Sequence, residues 1–226
     1  TQDVAGLYPV NNDTFTWFTD TILEDLKYLD LVPVWRENVL PGFEKNIYEK
    51  YCSKVNITKL QHLEPYFFDD PWTSYLEGKK VAVFSPFAAS ISNNFKNLNK
   101  IWNNKITSNF DLTPIQYPTA ITITKDSPYN NSREIYDEML DKVKSLDFDV
   151  GIFGTGHTGL LLALECKKIG KTGIHLGGAT QILFGIKGNR WDKMEEFQPF
   201  FNEHWTRPLD NETPDRIDVV EQACYW

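Results

Sequence analysis

The chain has 226 residues, 41% of them hydrophobic and 14% aromatic, which excludes a disordered protein and leaves material for one domain with a substantial core. Lys and Arg total 23 against 31 Asp and Glu, and the formal charge of -8 disfavours long nucleic acid, a partner that wants a basic face. No apolar run approaches the roughly 20 residues that cross a membrane, and no secretory signal opens the chain. Three scattered cysteines (Cys52, Cys166, Cys224) without metal spacing point to a reducing, cytoplasmic setting.

In chain order, Phe15, Phe18, Ile22, Leu26 and Leu29 recur at three- and four-residue steps and predict a helix over 13–30. A second helix is expected over 42–51. Residues 63–68 are aromatic and irregular, after which Asp70-Pro71 supplies an N-cap and first-turn proline for a short helix ending at Gly78. Residues 1–78 therefore read as a mainly helical part.

Beyond it, 80–85 (KVAVFS) predicts a buried strand, followed by Pro86-Phe87 and a helix over 88–103. Strands are expected over 112–117 and 120–124. Asn131 with Glu134 resembles a capping box that opens a helix over 132–145. The apolar run 149–153 suits a parallel strand buried on both faces, with a helix over 160–169 stopped by Gly170 and a strand over 172–176. Alternating strands and helices over 79–226 predict an α/β, Rossmann-like, mostly parallel sheet flanked by helices, in a single domain with an irregular C-terminal tail. Sites in such sheets lie beyond the strand C-terminal ends, so Ser85, Pro86 and Phe87 should share one crevice with the turn after 153.

That turn is Gly154-Thr155-Gly156-His157-Thr158-Gly159, a G-x-G-x-x-G between strand and helix. Such a turn bends at the first glycine, admits a ligand at the second and packs helix on strand at the third. Backbone N–H groups at the helix start then face an anion. A purely structural alternative is that the glycines only permit close packing. NAD is disfavoured, because the end of the 172–176 strand offers His175, Gly177 and Gly178 where a dinucleotide site wants an acid for the ribose. The missing acid counts equally against S-adenosylmethionine. Gly170-Lys171-Thr172 resembles the tail of a P-loop, but Glu165 replaces the earlier glycine and the segment closes a helix, which argues against an ATPase.

The run 185–191 brings Lys187, Arg190 and Trp191 together among glycines. The cations could neutralise a diphosphate while the indole stacks on a base or sugar; the alternative is a solvated surface turn. His157 can act at the turn or merely pack, and His175 reads as a hydrogen-bonded core residue. Asp147-Phe148-Asp149 precedes its strand and so belongs to the sheet end away from the site. Asp210-Asn211-Glu212 reads as a solvated loop that could also meet a metal. Glu203 and Arg207, flanking Trp205, are expected to fold back over the crevice.

The segments LEPYFFDDPW, GKKVAVFSPF, the whole run from Asp147 to Trp191, and NEHWTRPLDNETP with the closing ACYW resemble a glycosyltransferase family of bacteria and large algal viruses. The resemblance spans about Gly6 to Trp226, and FGIKGNRW is its most specific part. The run from Gly154 to Gly178 is also similar to the GT-D glycosyltransferase fold. These likenesses imply transfer of a sugar from a nucleotide diphosphate donor such as a UDP-sugar to a glycan or glycoconjugate acceptor, with Mn²⁺ or Mg²⁺. The D-x-E-type metal motif of that fold has no counterpart before Gly6. An upstream segment, another acid or a metal-free site are the alternatives, and no metal ligand is assigned.

On this reading Ser85, Pro86, Phe87, the 154–159 turn, Gly177, Gly178, Lys187, Arg190 and Trp191 bind the donor, and His157 or Glu203 is the base. The rivals are a non-catalytic nucleotide- or glycan-binding module of a larger polypeptide, and a dehydrogenase of unusual cofactor preference.

Overall fold

The computed structural model describes residues 6–34, 42–52, 54–119, 124 and 126–226. Helix α1 (Asn12–Asp25) is capped by Asn11, whose side chain accepts from the Thr14 N–H, and it tightens into a 3-10 turn at Leu26–Tyr28. Strand β1 (Leu31–Val34) and strand β2 (Asn56–Lys59) pair in parallel on either side of helix α2 (Phe43–Tyr51). This pair was illegible in the sequence. Both strands are four residues long, Pro33 interrupts the first, and the second is mostly exposed, so no apolar alternation marks them.

The short helix expected after Asp70 is a 3-10 segment, Trp72–Leu76, with Pro71 at the N-cap position and no side-chain cap bond. Asp70 therefore does not cap it. Strand β3 (Lys80–Ser85) matches expectation. The helix expected over 88–103 divides into α3 (Ala88–Phe95) and α4 (Leu98–Ile101), because the intervening Asn97 leaves helical geometry at φ -120°. Four asparagines between 93 and 99 lower the helix propensity of this stretch. Strand β4 covers Asp111–Gln116. The strand expected over 120–124 falls largely outside the described residues.

Helix α5 (Ser132–Ser145) begins as a variant of the expected box. Asn131 accepts from the Glu134 N–H at 3.0 Å, while the Glu134 carboxylate accepts from the Asn130 N–H at 2.7 Å, one residue ahead of the cap. Its far end is held by Lys171, whose Nζ donates to the carbonyls of Val143 (3.2 Å) and Leu146 (2.6 Å). The lysine of the P-loop look-alike is thus a helix clamp. Strand β5 (Val150–Phe153), helix α6 (Gly159–Lys168) and strand β6 (Thr172–His175) follow, then helices α7 (Ala179–Leu183) and α8 (Asn189–Asp192) and a tail of 3-10 turns.

The main sheet runs β4-β3-β5-β6, every pair parallel, with Phe84 beside Phe153 and Phe153 beside His175. Alternation within the buried strands sorts two cores. Val81, Val83, Val150 and Ile152 face α3, α4, α7 and the aromatic tail; Ala82, Phe84 and Phe153 face α5 and α6. Contact on the second face is close, since a Cβ on Gly173 would stand 2.2 Å from the Ala163 carbonyl oxygen. The chain is a single α/β domain of Rossmann-like form. Among the described residues no helix is long and apolar enough to cross a membrane.

Topology selects one point at the sheet edge. The connection after β3 leads to β4 on one side, and the connection after β5 leads to β6 on the other. Loops that part in this way leave a crevice beyond the C-terminal ends of the two central strands.

Candidate functional site

A cavity of about 120 Å³ occupies that crevice. Ser85, Pro86 and Phe87 reach it from β3, Tyr117 and Thr119 from β4, Gly154 to His157 from β5, and Gly177 and Gly178 from β6. All four parallel strands thus contribute the loop at their C-terminal end. The remaining wall comes from Gly6, Ile135, Thr180 and Gln181, and from Val220, Tyr225 and Trp226 of the tail.

The glycine turn is built by contacts that leave no room for side chains. The Gly154 N–H donates to the Phe84 carbonyl at 2.9 Å, and a Cβ on Gly154 would fall 2.9 Å from the Thr180 hydroxyl and 3.1 Å from the Gly177 carbonyl. This glycine lets the β5 turn touch the β6 turn. Gly156, at φ +56°, turns the chain into a 3-10 segment, Gly156–Thr158, that leads into α6. A Cβ on Gly159 would stand 2.4 Å from the His175 ring, so the third glycine seats the helix on β6. Burial pushes the His175 pKa down to about 4, partly offset by a hydrogen bond to the Gly156 backbone, which makes this imidazole a neutral prop under the turn. Thr158 is buried, its hydroxyl donating to the Thr155 carbonyl (3.0 Å) and accepting from the Tyr117 hydroxyl (3.1 Å).

Two sets of groups at the cavity point to a ligand. Among the described residues, the backbone N–H groups of Thr155, Gly156 and Gly178 make no hydrogen bond to a backbone carbonyl. The side-chain oxygens of Thr155, Thr180 and Gln181 are buried and lack a partner there. Each unpaired buried polar atom costs about 1–3 kcal/mol, and three in one wall concentrate that cost where a ligand could offset it.

The cation loop lies elsewhere. Lys187 and Arg190 do not line the cavity. Lys187 sits with Nζ 5.1 Å from the Phe201 ring, and its N–H donates to the Thr206 carbonyl at 2.7 Å. Arg190 pairs with Glu221, approaches Cys224 Sγ at 3.4 Å and lies over the Tyr225 ring at 4.9 Å. The tail has captured it. Trp191 is 4% exposed and belongs to the hydrophobic core, so it offers no stacking face. Its segment is a helix, α8, packed against the tail rather than a loose loop: a Cβ on Gly188 would meet the Cys224 and Tyr225 backbone within 2.9 Å.

Glu203 lines a separate depression with Asn99, Lys100, Asn103, Asn104, Asn202 and His204, and the 154–159 turn is not part of it. Arg207 pairs with Asp192 and donates to the Trp226 carbonyl, so it braces the tail from outside the cavity lining. Glu212 is not solvated: it is 6% exposed and caps α3, accepting from the N–H groups of Ala89 (2.7 Å) and Ser90 (3.2 Å) and from the Ser90 hydroxyl. Lys80 anchors Asp147 through an ion pair and Asp149 through its N–H (2.9 Å), at the sheet end opposite the cavity.

No group of three or more His, Cys, Asp or Glu able to hold a metal stands among the described residues, and no Asp or Glu is in the described lining. The hard oxygen ligands that Mn²⁺ or Mg²⁺ prefers are not assembled there, so these residues do not fit a resident divalent ion. Tyr117, Thr119, Thr180 and Gln181 were missed in the sequence, although each follows a strand end or glycine pair and the same topological rule reaches them. Val220, Tyr225 and Trp226 carried no such signal. Compared with protein-family models, curated proteins and solved structures, the chain matches none.

Proposed function

We propose that the chain is a glycosyltransferase that binds a nucleotide-diphosphate sugar in the crevice and passes the sugar to a hydroxyl of a glycan or glycoconjugate. The observation that carries this reading is the convergence of loops from all four parallel strands on one cavity at the switch point, with a glycine turn at its centre. In this reaction the bond from the anomeric carbon to the diphosphate oxygen breaks, and a bond to the acceptor oxygen forms. The N–H groups of Thr155, Gly156 and Gly178 suit the charge that develops on the departing diphosphate. His157 lines the cavity, its ring packed edge-on to Phe18 at 5.8 Å, and is the side chain assigned to take the acceptor proton. No step is routed through a metal.

Titration calorimetry with a panel of UDP- and GDP-sugars tests the reading: one donor should bind, and release of its nucleotide should follow when acceptor is added. Absence of binding across the panel overturns it. A described lining without Asp, Glu, Lys or Arg favours a second reading, a non-catalytic nucleotide- or glycan-binding module. Donor binding with neither hydrolysis nor transfer would select that alternative.

A further inference from the structure

The wall of the cavity says more than its position. Among the described residues no Lys, Arg, Asp or Glu lines it, while two hydroxyls and one amide carbonyl of its lining residues are buried without partners. Thr155 and Thr180 are each 1% exposed and Gln181 is 2% exposed. Gln181 is the most informative, because its Nε2 already donates to the carbonyls of Tyr225 (3.0 Å) and Ile186 (3.3 Å). Those bonds fix the amide's orientation, so its carbonyl oxygen awaits a donor that none of the described residues supplies. The Thr155 hydroxyl sits in the β5 turn and the Thr180 hydroxyl at the start of α7, against Gly154, and rotation of the hydrogen about the Cβ–Oγ bond presents either one as donor or acceptor. Phe87, Ile135 and Trp226 complete an apolar surround.

Size narrows the guest further. A volume of about 120 Å³ is close to that of an apolar cavity that accepts one benzene-sized ring, roughly 150 Å³, and below the roughly 300–1,000 Å³ that houses a whole drug-sized ligand.

We infer that Thr155, Thr180 and Gln181 form a reading site for a single uncharged, hydroxyl-bearing ring, seated in the cavity while any phosphate stays at the rim with the N–H groups of Gly156 and Gly178. A charged group inside would be desolvated without a counter-ion; a hydroxylated ring supplies the donors that the Gln181 carbonyl and the two hydroxyls lack. The inference rests on the nucleotide-sugar reading only for the origin of that ring, which is either the transferred sugar or the ribose of the donor.

Thr155→Val and Thr180→Val keep shape and remove the unpaired oxygen. Each variant should melt at the wild-type temperature or slightly above it, since a buried polar group without a partner is lost. Each should bind the UDP-sugar selected by the panel at least fivefold more weakly. Titration with UDP alone separates the two origins of the ring: unchanged UDP affinity assigns the cavity to the transferred sugar, and an equal loss for UDP assigns it to the ribose. Saturation-transfer NMR with free monosaccharides and uridine serves if no UDP-sugar binds. A wild-type signal lost in both variants would uphold the ring site while the nucleotide-sugar reading falls. Lower melting temperatures with unchanged affinity, or no response from wild type to any of these probes, would overturn the inference.

Discussion

The glycine turn at 154–159 and the cation loop at 185–191 follow successive strands of one sheet, yet they meet opposite fates. The turn stands at the edge of a cavity, held by Gly154 against Thr180 and by Gly159 against His175. The loop is folded under the tail, with Arg190 paired to Glu221 and Trp191 in the core. Both were expected to grip one diphosphate. The difference teaches that a turn's role follows from bonds to its neighbours in sequence and sheet, whereas a cation's role depends on which distant carboxylate reaches it first. Glu221 lies 31 residues from Arg190, and no local pattern announces it.

The sharpest way to break this contrast is to disturb the packing on which the turn depends. Gly173→Ala would force a Cβ to within 2.2 Å of the Ala163 carbonyl oxygen, a backbone atom that cannot swing aside. We expect a loss of about 3 kcal/mol or more in a denaturant melt, at the upper end of overpacking costs. Gly178→Ala meets the Tyr225 ring at 2.7 Å, and because that ring sits on the tail it should cost clearly less. Equal losses would show the tail to be as rigid as the sheet.

Acid should act next most strongly, through the prop beneath the turn. His175 titrates at about 4 in the folded chain against 6.5 when unfolded. The unfolded chain therefore takes up the proton first as pH falls, and stability drops between about pH 6.5 and pH 4, by roughly 2–3 kcal/mol from this group. Above pH 6.5 the group contributes no slope. His175→Gln should flatten that part of a plot of melting temperature against pH, and an unchanged slope would contradict the neutral-prop assignment.

The smallest effect belongs to the cation loop. Glu221→Gln removes the partner of Arg190, and because both side chains are partly exposed the cost should stay below about 1 kcal/mol. If Arg190 stands apart from the ligand, nucleotide-sugar affinity should remain within about twofold. A clear rise on releasing the guanidinium would return it to the site.

Much of the fold was legible. Residues 80–85 and 132–145 were delimited by their strand pattern and capping residues, and the parallel α/β arrangement followed from alternation alone. Ser85, Pro86, Phe87 and Gly154 to His157 could be placed together because strand C-terminal ends in such sheets face one side. What escaped depends on long-range partners. Glu212 looks like a member of a solvated acidic triplet until it is seen capping a helix 122 residues away. Trp226 shows its role through distant partners, a T-shaped contact with Phe87 at 5.9 Å and an indole N–H that donates to the Glu212 carbonyl at 3.0 Å. The tail's left-handed residues Glu221, Gln222 and Ala223 are ordinary in composition and carry no turn signal.

Amide hydrogen exchange with and without a bound UDP-sugar tests the central claim most directly, because it reports both regions in one experiment. Exchange should slow at residues 154–157 and 177–178, while 187–191 keeps its rate. Slowing confined to 187–191, or to the depression around 99–104 and 202–204, would contradict it.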